Sequence, residues 1–193
     1  MENLKTFHHG NLREELIVCA AAEIEKLGYD KVSIREIAKK LGVSQAALYR
    51  HFSSKKDLLI AIFKRRNDKI LEAYADIAKL DINPKQRLQK ACELVFHEAF
   101  SAPELYKLLS STRDFWTTED EGFIFEKESQ AFNKFIGDHI GSSDHQKIAA
   151  ASTIIWSCIK GYQVLKSENL VDPAVDLDAA QKAIIELACQ VGK

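Results

Sequence analysis

Apolar residues recur every three or four positions along almost the whole chain, and this spacing is what most restricts the fold. Leu12, Leu16, Ile17, Ala20, Ile24 and Leu27 open the pattern, and Ile148, Ala151, Ile155, Ile159 and Tyr162 repeat it near the other end. That spacing places one apolar stripe along a helix. No stretch alternates with the period of two that a half-buried strand needs. The eight Gly and three Pro are too few for a many-turned β architecture. The expected fold class is all-α, with an N-terminal three-helix unit and a larger C-terminal helical bundle.

Punctuation divides the pattern into helices. Gly28 follows the first stripe and suits a left-handed C-terminal cap. Ser33 and Glu36 have the spacing of a capping box. Ile34, Ile37, Ala38 and Leu41 then face inward, and the helix stops at Gly42. Ser44 caps a short helix over about 45–50, and Ser54 with Asp57 caps a long one. Asn83-Pro84, Ala102-Pro103, the polar run 117–122, Gly141-Ser142-Ser143-Asp144 and Val171-Asp172-Pro173 mark further breaks. Helices are expected near 85–100, from 103, and over 123–139, 145–166 and 176–191. The expected domains are 1–54 and 55–193.

Charge is unevenly spread. The net charge is −1, yet residues 1–66 carry 13 Lys+Arg against 8 Asp+Glu, while the remainder carries 14 against 20. A basic head on an acidic body fits a protein whose head alone meets a polyanion. The cysteines, Cys19, Cys92, Cys158 and Cys189, form no CxxC pair and read as small buried hydrophobes in a reducing compartment. No metal or cofactor is expected. Catalysis is not expected either: Glu93 and His97 do not make HExxH, and no Gly-rich phosphate loop occurs. With no run of about 18 apolar residues, no membrane span is expected. The start of the chain lacks a secretory apolar stretch, so the expected compartment is the cytoplasm.

Residues 33–51, SIREIAKKLGVSQAALYRH, carry the sharpest signal. A two-turn helix, a tight turn at Gly42 and a second short helix make the unit that sets its second helix in the DNA major groove. Gln45, at the front of that helix, suits bidentate pairing with adenine, and Ala46 and Ala47 are short enough to meet a thymine methyl. Arg50 reads a guanine or is simply solvated.

The stretch from about Gly10 to Phe63 resembles the DNA-binding domain of the TetR family of bacterial transcriptional regulators. The resemblance rests on Ser33-Ile34-Arg35-Glu36-Ile37-Ala38, Leu41-Gly42-Val43-Ser44, Leu48-Tyr49-Arg50-His51-Phe52, Lys55 and Leu58-Leu59. It implies a DNA face made of Ser33, Arg35, Ser44, Gln45, Ala46, Ala47, Tyr49, Arg50, His51 and Lys55, with Tyr49, His51 and Lys55 on phosphates. Phe52 is expected in the core. An arm of Lys5, His8 and His9 could reach adjacent phosphates or be unstructured.

Nine of the 17 aromatic residues lie between positions 96 and 135. The resemblance implies a pocket for a small effector there, and the residues suit an apolar or aromatic one. His97, Phe100, Tyr106, Phe115, Trp116, Phe132 and Trp156 are the candidates; the alternative is plain core. The last two helices suit a homodimer through Ile155, Ile159, Tyr162, Ile184, Leu187 and Val191. The expected function is a regulator, a repressor by preference, that binds a palindromic double-stranded DNA operator. The alternative is a sequence-independent DNA-binding or protein-interaction factor of the nucleoid or division type.

Overall fold

The computed structural model describes residues 11–111, 117 and 125–190. The described residues are all-α, as expected. They form α1 (Leu12–Leu27), a 3-10 turn (Tyr29–Lys31), α2 (Ile34–Lys40), α3 (Gln45–Tyr49), α4 (Lys55–Lys79), α5 (Pro84–Ser101), α6 (Pro103–Ser111), α7 (Lys127–Ile140), α8 (His145–Ser167) and α9 (Leu177–Ala188).

Side chains start most helices where the sequence places them. Ser44 Oγ accepts from the Ala47 amide at 3.1 Å, and Ser54 Oγ from the Asp57 amide at 3.0 Å. Asp144 and Asp176 cap α8 and α9 in the same way. The expected box at Ser33 is only half formed. Ser33 Oγ accepts from the Glu36 amide, but its hydroxyl donates to the Glu36 carboxylate, leaving that carboxylate turned from the Ser33 backbone. The reciprocal box is instead at Asn83 and Gln86, where side chain and backbone exchange bonds of 2.9 and 3.2 Å ahead of Pro84. Gly28 takes φ 81 and ψ 151, outside the left-handed helical region expected of a cap, because the chain turns straight into the 3-10 turn. Gly42 has φ 66 and makes the tight turn between α2 and α3.

The helices divide into two compact units, one within Met1–Arg66 and Pro103–Thr117, the other within Asn67–Ala102 and Thr118–Lys193. They do not follow a single cut in the sequence after residue 54. In the first, Leu16, Ile17, Ile24, Ile37, Leu48, Phe52 and Phe63 form the core. Helix α6 belongs here and packs on α1. The Glu25 carboxylate of α1 accepts from the first free amides of α6, Glu104 at 3.2 Å and Leu105 at 3.1 Å. Those amides have no partner inside their own helix, so a side chain 79 residues upstream supplies their cap.

In the second unit α5 packs on α7, α8 and α9, and α8 on α7 and α9. Leu88, Val95, Phe96, Phe132, Ile136, Ile155 and Ile159 are its core. Gly137 lets α7 approach α8: a Cβ there would stand 3.1 Å from Ile148 Cδ1. Cys92 and Cys189 are buried as expected, whereas Cys19 and Cys158 are only partly covered. By length and composition α8 is apolar enough to cross a membrane, a test that the core helix of a bundle also passes. Ala151, Ser152, Ile155 and Ile159 of α8 are buried in the bundle.

Phe132 is fully buried and meets Tyr74 and Trp156 at ring separations of 6.2 and 5.8 Å. Replacing Phe132 with Ala should lower the unfolding free energy by about 3–5 kcal/mol. Urea titration followed by tryptophan fluorescence measures it.

Candidate nucleic-acid interface

Helix α3 has five residues, too few to persist alone. Its shape comes from what surrounds it. The Ser44 cap fixes the first turn, and the amides of Gly42 and Val43 bond the carbonyls of Lys39 and Ala38 at 3.1 and 2.9 Å. Ala47 and Leu48 turn inward, where α3 packs on α2. Burial of 48 and exposure of 45, 46, 49 and 50 follow from 3.6 residues per turn.

Gln45, Ala46, Tyr49, Arg50 and His51 are all exposed, with Tyr49 at 52%. Together with the exposed Ser44 they make one outward surface. Ala47 differs from these in exposure: only 8% of its surface is open. Ser33 caps α2 and Arg35 is exposed beside it. Phe52 is 1% exposed, in the core as expected, and the Arg13 guanidinium lies 5.2 Å from its ring centroid. Lys5, His8 and His9 lie outside the described residues.

Lys55 is less open than expected. Its ammonium sits 4.1 Å from the centroid of the Tyr29 ring and donates to the Asp30 carbonyl at 3.5 Å. Burial holds its pKa below the ordinary lysine value, and the Asp30 charge opposes that shift. Lys40 pairs with Glu23 and Arg65 with Glu14.

Of the residues expected around an effector, His97, Phe100, Phe132 and Trp156 belong to the second unit and Tyr106 to the first. His97 and Phe100 line a cleft of about 410 Å³ between α5 and α9, with Glu93, Phe96, Ser101, Leu177, Asp178 and Gln181. Phe132 and Trp156 pack against each other within the bundle. Tyr106 lies in the other unit, 5% exposed, under the Arg66 guanidinium at 5.8 Å. Phe115 and Trp116 lie outside the described residues. The aromatic window spans α5, α6 and α7, and α6 goes to a different unit, so nearness in sequence was no guide. A second cavity of about 660 Å³, lined by polar residues of α7 and the start of α8 such as Gln130, Lys134, Asp138 and His145, carried no sequence signal because it has no motif spacing. Among the described residues no group of three His, Cys, Asp or Glu could hold a metal ion.

The residues expected at a dimer face also divide. Ile155 and Ile159 are 2% and 1% exposed, so they pack inside the subunit. Tyr162 is half-buried, its ring 6.2 Å from Phe96 and 5.5 Å from Phe100. Ile184 is half-buried, Leu187 is 44% exposed, and Val191 lies outside the described residues. The outer face of α8 carries Ile154, Val164 and Leu165 instead, each about half exposed. Helix α8 is apolar on two sides, and periodicity marked the one that turns inward.

Residues 16–62 match the sequence profile of the bacterial regulatory proteins of the tetR family. That segment, about a quarter of the chain, is what the chain shares with the tetR family. The match covers the cap, turn and outward surface just described. Among curated relatives, the chain is 31% identical over 97 residues to the HTH-type transcriptional activator FasR of Mycolicibacterium smegmatis. That alignment covers 50% of this chain and 44% of FasR, so the chain spans less than half the length of that relative. It is 24% identical over 186 residues to the nucleoid occlusion factor SlmA of Shewanella sediminis, across 95% of this chain and 81% of that protein. The fold is shared with the transcriptional regulator FadR of Bacillus subtilis, solved in complex with stearoyl-CoA: TM-score 0.68, 21% identity, 93% of this chain and 98% of that one.

Ser44→Ala should remove the cap of α3 and cost about 1 kcal/mol. Amide hydrogen exchange should show faster exchange at Ala47 and Leu48, with α5 and α7 unchanged.

Proposed function

We propose that the chain is a DNA-binding transcriptional regulator, and that the exposed Gln45–His51 surface reads the major groove. The single observation that carries this is the capped helix α3, held by its buried side and presenting Gln45, Ala46, Tyr49 and Arg50 outward within a TetR-family match. In this reading residues 1–54 are the DNA-binding domain, with Lys55 at the start of α4 adding a phosphate contact, and residues 55–193 otherwise bind effector and partner. Gln45 pairs with a base edge, Arg50 is a second reader, and Tyr49, His51, Ser33 and Arg35 hold the phosphate backbone. The protein works in the bacterial cytoplasm, as a repressor that occupies its operator.

One recognition helix reads few base pairs, so we propose a homodimer on a palindrome, its two helices one DNA turn apart, about 34–36 Å. The surface we assign to the partner is the outer side of α8 with Leu187 of α9. Ile154, Val164, Leu165 and Leu187 are large apolar residues left 44–52% exposed, the kind of surface a second copy covers.

The effector is proposed to be small, and apolar or aromatic, with His97 and Phe100 beside the α5–α9 cleft. The stearoyl-CoA bound to FadR joins a long apolar acyl chain to a polar, anionic coenzyme A, and its acyl chain supports the apolar part of this reading. A route for the signal is built into the chain. Ser101 lines the cleft, Ala102 alone joins α5 to α6, and Glu25 of α1 holds the first amides of α6. A ligand that favours one placement of the end of α5 biases α1 through that cap. Coupling of this kind is worth about 1–3 kcal/mol, a 5- to 150-fold change in affinity.

A second reading is sequence-independent DNA binding of the nucleoid type. The similarity to the nucleoid occlusion factor SlmA over 95% of this chain favours a nucleoid role. Selection from a random duplex library separates the two. A palindromic consensus supports the regulator; salt-sensitive binding without enrichment supports the alternative. Gln45→Ala should relax one base-pair position of the consensus by about 1–3 kcal/mol while leaving affinity for random DNA near its starting value. Ile154→Glu with Leu187→Glu should convert a dimer into a monomer in light scattering at micromolar concentration. An unchanged mass would remove this surface from consideration.

A further inference from the structure

Lys55 opens α4, and Tyr29 opens the 3-10 turn between α1 and α2. Twenty-six positions apart in sequence, they meet face to face: the Lys55 ammonium is 4.1 Å from the centroid of the Tyr29 ring. The same ammonium donates to the Asp30 carbonyl at 3.5 Å. A cation over an aromatic face is attracted by the ring quadrupole. Burial pushes the Tyr29 phenol pKa up, with the Asp30 charge adding to it, so the ring is neutral at physiological pH. The environment lowers the Lys55 pKa. Both partners are half-buried, not sealed.

A lysine has three donors on a flexible four-carbon stem. One donor meets Asp30, and the ring restrains the head. Donors remain for another acceptor. A side chain already ordered in free protein loses less entropy when a ligand arrives. Lys55 also stands in the first turn of a 25-residue helix, where the helix dipole adds to its positive charge.

We propose that Tyr29 is a positioning residue for DNA binding, whose ring seats the Lys55 ammonium at the start of α4 so that Lys55 delivers one phosphate contact from a preformed place. The proposal rests on the DNA-binding reading above and adds a residue outside the helix-turn-helix. Neither the Tyr29 hydroxyl nor a base contact by Tyr29 is required; the ring face is what acts.

The test compares wild type, Tyr29→Phe, Tyr29→Leu, Lys55→Met and the double variant Tyr29→Leu/Lys55→Met. Fluorescence anisotropy on a labelled duplex is read across a salt series. Tyr29→Leu should bind about two- to five-fold more weakly and lower the slope of log affinity against log salt by up to about one. Tyr29→Phe should match wild type in both. The double variant should be no weaker than Lys55→Met alone. A wild-type slope in Tyr29→Leu, or additive losses in the double variant, would overturn the role.

A second measurement needs no DNA. In wild type and Tyr29→Phe the ε-methylene protons of Lys55 should show an upfield ring-current shift by NMR, absent in Tyr29→Leu. Lack of that shift in wild type overturns the seat itself, and this holds even if Tyr29→Leu fails to fold. A wild type that shows the shift yet binds no duplex overturns the DNA-binding reading, and the role of Tyr29 with it, while the pair remains.

Discussion

The inward turn of Ala47 and Leu48 is the contact on which the head depends. A five-residue helix does not hold itself. Leu48, with no exposed surface, anchors α3 where it packs on α2. The geometry of the helix then decides everything on the other side. With 47 and 48 both inward, 45, 46 and 49 point out. The glycine turn at 42 fixes the angle at which α3 leaves α2, and Ser44 supplies the hydrogen bond the first turn lacks. An outward surface of mostly polar residues is thus oriented by apolar ones on the buried side.

The fold class was legible because a three-to-four spacing has few interpretations when nothing alternates with period two. Most helix starts were legible for the same kind of reason: Ser44, Ser54 and Pro84 each act within a few residues of themselves. The outward α3 surface could be read as well, since spacing and chemistry agreed. Ala47 shows where that stops. A short apolar side chain suits a thymine methyl and a helix junction equally, and only the packing decides between them.

The body was harder to read. Aromatic residues concentrated between 96 and 135 suggested one pocket, but helical spacing alone does not separate a pocket wall from plain core. In α8, two apolar faces compete, and periodicity cannot say which is inside. Tyr29 gave no signal at all. Its partner is 26 positions away, and a contact between a ring and an ammonium leaves no spacing rule in the sequence.

Glu25 has a consequence for where this chain can be cut. The basic head looks detachable when the sequence is read from left to right. Yet α6, which completes the first unit, arrives from beyond position 100, and the Glu25 carboxylate is what receives it. Leu105, Tyr106 and Leu109 of α6 are each at most 8% exposed. A fragment that stops at Arg66 would carry a carboxylate with no amides to cap and a bare flank on α1. For chimeras that exchange heads between bodies, the transferable piece is two segments of chain, and a graft that moves the first without the second leaves the junction behind.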